Sequence, residues 1–144
     1  LVPYRYYRVN QGDTYRSEFH GERSATRNRL PRVIVDLNRA RPIHFGLVDG
    51  IWTSEGGEGP WIATMTPLKA NVLIAGMNPV STDAVATACM GHNPEDDYGT
   101  PPFYRTDNHL KLAAQMGRGS NRLADIDVVG ASIDKVKKQF HGAS

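Results

Sequence analysis

The chain has 144 residues, 40% hydrophobic and 22% charged, with a formal net charge of +2. That is the balance of one ordinary globular domain able to bury a core, and no apolar run reaches the ~18 residues needed to cross a bilayer. A single cysteine, Cys89, excludes an internal disulfide and any four-cysteine zinc or iron–sulfur site built from this chain alone.

The first residue is Leu1, not methionine, which reads as a processed or partial chain. Residues 1–30 show no apolar period of 2 or 3.6 and are predicted to form an irregular arm. The stretch to residue 42 is rich in arginine, and Tyr4, Tyr6, Tyr7, Tyr15 and Phe19 lie among those arginines. Arginine interleaved with aromatics can bind nucleic acid, but no nucleic-acid motif accompanies it here. The plainer reading is an arm that lies on another protein chain or on a second copy of this one. Residues 31–144 then form the ordered domain.

Pro31 is read as the start of order, with residues 32–37 a short strand or the first turn of a helix. Pro42–Val48 is a near-continuous apolar run, as in a strand covered on both faces. It ends in Asp49-Gly50 and runs into a loop, Ser54 to Trp61, too rich in glycine for regular structure. Asn71–Ala75 is the next strand. A helix over residues 82–90 follows, capped by Ser81 or Thr82, with Asp83 in its first turn and Gly91 as its stop. A turn-rich connector leads to a helix over 108–116 capped by Asp107. Ile126–Val129 reads as a last strand, and Ile133, Val136 and Phe140 recur at helical spacing. Strands alternating with short helices predict an α/β fold with a mixed, partly parallel sheet. Its core would hold Val48, Leu73, Ile74, Val85, Cys89 and Val128.

In open α/β sheets, ligands bind beyond the carboxyl ends of the strands. That rule draws Asp49, the glycine-rich loop and the residues after the second strand into one crevice. Oxygen ligands from Asp49, Glu55, Glu58 and Asp83 suit a hard divalent cation, Mg²⁺ or Ca²⁺. Gly57 and Gly59 offer backbone N–H groups, and Asn78 and Thr82 offer polar side chains, to a bound small molecule. A bare phosphate would be repelled by Glu55 and Glu58, so a metal-bridged anion fits better. The plainer alternative makes Asp49 a turn former and Asp83 a helix-start residue. His44 reads as a core or edge residue of its strand, and Cys89 as a small buried hydrophobe. No nucleophile has a recognisable activating base.

Three blocks resemble the C-terminal half of the DUF362 family. They are Val35-Asp36-Leu37-Asn38 with Arg41-Pro42-Ile43, Val48-Asp49-Gly50-Ile51 with Gly56-Gly57-Glu58-Gly59-Pro60, and Leu73 to Val80 with Thr82-Asp83-Ala84-Val85-Ala86 and Met90-Gly91. Gly117-Arg118-Gly119 and Ile126 to Gly130 also fit, so the resemblance covers residues 31–140. It implies an α/β fold without an agreed activity. Relatives with ferredoxin-like segments imply an iron–sulfur cluster that this chain cannot hold by itself. Relatives with twin-arginine signals imply export. The resemblance points to Asp49 and the Thr82-Asp83 pair as site positions but attaches no role to them. Two functions stand side by side: part of an enzyme with an acidic, metal-assisted small-molecule site, or a non-catalytic assembly module.

Overall fold

A computed structural model describes residues 24–57, 59–104 and 106–142. The predicted arm, apart from its last residues, therefore lies outside the described residues. The first element, α1, spans Ser24–Ala40 and runs through Pro31, so regular structure begins before the predicted start and residues 32–37 are helix. Pro31 and Val35, one turn apart, are buried, whereas Leu30, Ile34 and Leu37 form an exposed apolar row on the same helix.

Four strands follow: β1 Gly46–Gly50, β2 Thr53–Glu55, β3 Thr66–Leu68 and β4 Val72–Gly76. They form two separate antiparallel pairs, β1 with β4 and β2 with β3. Among the described residues, the expected parallel component is not found. A parallel return needs a crossover of about a dozen residues or more, usually a helix. Here the chain between β1 and β4 is used by the β2–β3 hairpin, so β4 comes back beside β1 in the opposite direction. Asn71, at φ 57°, turns the chain into β4, a conformation that asparagine tolerates.

Burial alternates along β1 and β4. Gly46, Val48, Ile74 and Gly76 point to one face. Leu47, Asp49, Leu73 and Ala75 point to the other, with Leu47 opposite Ala75 and Asp49 opposite Leu73. The inner face is covered by α2, Pro79–Cys89. A side chain at Gly76 would run into the Thr82 hydroxyl, so that glycine lets α2 sit close to the sheet.

The main core lies among the helices. Val35 of α1, Val80 and Ala84 of α2, Phe103, and Leu110 and Ala113 of α3 (His109–Gln115) form one cluster. Of the six predicted core residues, Val85 and Cys89 are buried and Val48 and Ile74 half-buried, while Leu73 and Val128 are exposed. The two exposed residues rest on the predicted three-stranded sheet. Leu73 faces outward, and Ile126–Val129 belongs to none of the strands of the described residues, with Ile126 alone at extended backbone angles. A 3₁₀ turn, Leu123–Asp125, precedes it. His44 likewise falls before β1 and is exposed rather than part of a strand.

The last helix, α4, covers only Ile133–Val136. Beyond it the chain is extended. Lys138 N–H donates to Cys89 O and Phe140 N–H to Met90 O, both at 2.9 Å. The tail thus satisfies carbonyls that the end of α2 leaves open, and Phe140 is buried against it. Gly91, at φ +86°, makes room for Gln139 at this crossing.

Candidate functional site

Asn78 organises the start of α2. Its extended backbone makes it the N-cap, and its Oδ1 accepts from Ser81 N–H at 3.0 Å. Pro79 takes the first helical position, where a missing N–H costs nothing. The cap is thus Asn78, not Ser81 or Thr82. The Thr82 hydroxyl donates back to Asn78 O at 2.8 Å. Asn78 Nδ2 donates to Arg118 O at 2.8 Å, and the Ser81 hydroxyl donates to Ser120 O at 3.3 Å. Gly119 permits this approach, because a side chain there would strike the Asn78 amide. The loop over 117–121 is therefore tied to the start of α2, and it leads into segment 126–129.

That segment stands opposite β4 across a groove of about 400 Å³. Residues 72–77 form one wall and 126–129 the other, with Ile133 and Val136 of α4 continuing it. Val85 and Cys89 of α2 form the floor. Asn78, Ser81 and Thr82 add polar groups, and Asp127 is the one charged side chain in the lining. Burial pushes the Cys89 thiol above its ordinary range, so it stays protonated at neutral pH. It serves as floor rather than as a nucleophile.

Two predicted site residues, Asn78 and Thr82, lie in this groove. The other described ones lie elsewhere. Asp49 is near the opposite end of the sheet, because β1 and β4 are antiparallel. Its partner Leu73 is three residues from Gly76, roughly 10 Å along the strand. Asp49 Oδ1 accepts from Ile51 N–H at 2.9 Å, as a turn former does. Glu55 Oε2 accepts from His141 N–H at 2.9 Å, and Gly56 N–H donates to His141 O at 2.8 Å, so this corner clips the tail to the hairpin. Side chains at Gly57 and Gly59 would collide with Ile62 and Trp61, so these glycines allow the loop to fold on itself. Glu58 lies outside the described residues.

Asp83 is close enough to His109 for the two to interact. Partial burial raises the Asp83 carboxyl above its usual range and holds the His109 imidazole below its own, and each charge offsets part of the other's shift. Phe103 meets the His109 ring edge-on at 6.3 Å. Among the described residues, no group of three His, Cys, Asp or Glu side chains could hold a metal ion.

Two features carry little or no signal in the sequence. Asn108, not Asp107, caps α3. It is 3% exposed, accepts from Leu110 and Lys111 N–H, and donates to Pro94 O and Asp96 O. The one local signal is an asparagine just before an apolar helical period. The second is the cleft where His92, Asp96 and Tyr104 meet His141. Nothing in the spacing of residues 92 and 141 foretells that meeting, which depends on the tail crossing α2.

The architecture is that of a small α/β domain with antiparallel strand pairs and a helical core. The chain matches the family described as "Domain of unknown function (DUF362)" over residues 10–88, 79 of its 144 residues, and it belongs to that family. The matched span lies in the N-terminal part of the chain and includes part of the arm. The resemblance over residues 31–140 is corrected accordingly, since residues 117–130 fall beyond the match. No curated protein and no solved structure matches the chain. No helix among the described residues is long and apolar enough to cross a membrane.

Proposed function

We propose that this DUF362 domain is an assembly module that docks through the outer face of the β1–β4 pair onto the same face of a second copy. One observation carries the reading. Leu47 and Leu73 on that face are 62% and 59% exposed, and Phe45 and Met77, which the register would place opposite each other just past the strands, are 58% and 74% exposed. Four such residues present roughly 500 Å² of side-chain surface, near the upper end of the apolar patch a soluble monomer carries.

Two such faces together would bury about 1,000 Å², the lower bound for a specific interface. Covering each leucine contributes about 1.5–3 kcal/mol relative to leaving it in water. A twofold arrangement also suits the one carboxylate on the face. Asp49 lies toward one end of β1, so the twofold axis puts the two Asp49 side chains at opposite rims, in water rather than against each other.

Sedimentation of the parent protein beside Leu47→Glu tests this, with Met116→Glu as an exposed control off the face. The parent and Met116→Glu should associate, and Leu47→Glu should sediment as a single chain. Equal behaviour of all three would remove the proposal. The acidic, metal-assisted reading enters as a distinct outcome of the same preparation: stoichiometric Mg²⁺ or Ca²⁺ that is lost in Asp49→Asn would favour it.

A further inference from the structure

We propose that the groove between β4 and Ile126–Val129 is a slot for an extended segment of a partner polypeptide, which enters as a strand and bonds to both walls. This site is the edge of β4 rather than its outer face, although Leu73 and Met77 border both.

The first ground is the state of the two walls. Among the described residues, β4 has a ladder partner on one side only, β1. In an antiparallel pair, alternate residues aim their N–H and C=O groups at the far edge. Among the described residues, residues 72–76 make no backbone hydrogen bond outside the β1 ladder, and residues 127–129 make none at all. Among the described residues, an open strand edge and a segment without backbone bonds of its own thus face each other across one groove. A small apolar molecule would fill the space without matching those groups. An inserted strand matches them on both sides, as in recognition by strand addition.

The second ground is that the slot is held open. Segment 126–129 does not close onto β4, because both of its ends are fastened. Asn78 and Ser81 hold the preceding loop through Arg118 O and Ser120 O, and α4 packs against α2 beyond it. A preformed cleft spares an incoming strand the cost of opening one.

The third ground is the lining, which sets the chemistry of the guest. Val85 and Cys89 on the floor, with Ile133 and Val136 beside them, accept apolar side chains from alternate positions of a strand. Among the described lining residues Asp127 is the single charge, and it is exposed. It favours a lysine or arginine in the guest near that wall.

The test uses the full chain and a library of eight-residue peptides. Each carries valine or isoleucine at every second position and random residues between. Amide exchange is followed at residues 72–76 and 127–129. Selected peptides should be enriched in lysine or arginine, and they should slow exchange on both walls by about tenfold or more. The same peptides N-methylated at alternate backbone positions should not. Asp127→Lys should turn the selection toward acidic peptides with the fold unchanged. Three results would overturn the proposal: no peptide that protects both walls, equal protection by N-methylated peptides, or walls already protected in the free chain and exposed on removal of residues 1–23. The last would assign the slot to this chain's own arm.

Discussion

Asn78 joins three pieces of chain with one side chain. Its carbonyl oxygen caps α2, its amide holds Arg118 O, and its backbone oxygen receives the Thr82 hydroxyl. Asn78→Ala should cost about 2 kcal/mol in urea unfolding, from the lost cap plus a stranded carbonyl. Asn78→Asp keeps the acceptor for Ser81 N–H and should cost less. Asn108 is more deeply committed, since it is buried and fills all four of its bonds. Asn108→Ala should cost about 3 kcal/mol by the same measurement. The histidines set a pH dependence. His109 and His92 are held below the usual 6.5 by burial. Between that value and their folded values, the unfolded chain binds more protons than the folded one. Stability should therefore fall as pH drops below 6.5. His109→Gln should flatten part of that slope in unfolding measured from pH 7 to 5.

At the level of elements, legibility follows how local each signal is. The helix α2 is legible because small and apolar residues run from Val80 to Cys89 with a stop at Gly91. Its true start is also written in the chain, as Asn78-Pro79, a cap followed by a proline in the first turn. The direction of β4 is not written there. An apolar run is the same read either way, and the interval between β1 and β4 fits a crossover or a hairpin. That ambiguity decides the site. Parallel strands would bring Asp49 and Asn78 to one edge, and antiparallel strands send them to opposite ends. Asn78 and Thr82 reach a groove because they belong to the start of α2, which does not depend on strand direction. The tail is illegible for a different reason. Val136 and Phe140 keep helical spacing, but backbone bonds to Cys89 O and Met90 O draw the chain out straight. Gly91→Ala should strain a left-handed position and press on Gln139. The tail should then loosen, and the Phe140 amide should exchange faster in hydrogen-exchange measurements while the amides of α3 are unchanged.

Over the whole molecule, two kinds of surface are in tension. The helical cluster from Val35 to Ala113 is buried. The strand pair has one face on α2, one apolar face in water and one open edge beside a groove. A sheet of two strands is rarely stable unless it packs on something more, and here the second face is the part left uncovered. Charge does not account for that face, because Asp49 is its one carboxylate and is already bonded to Ile51 N–H. The proposed association through the face would account for it. The most direct measurement is the mass of the full chain in solution by light scattering, over a dilution series from about 100 to 1 μM. Pairing through the face requires the mass of two chains at the high end, falling toward one on dilution, with Leu73→Glu at the mass of one chain throughout. A parent protein that keeps the mass of a single chain across the whole series would contradict it.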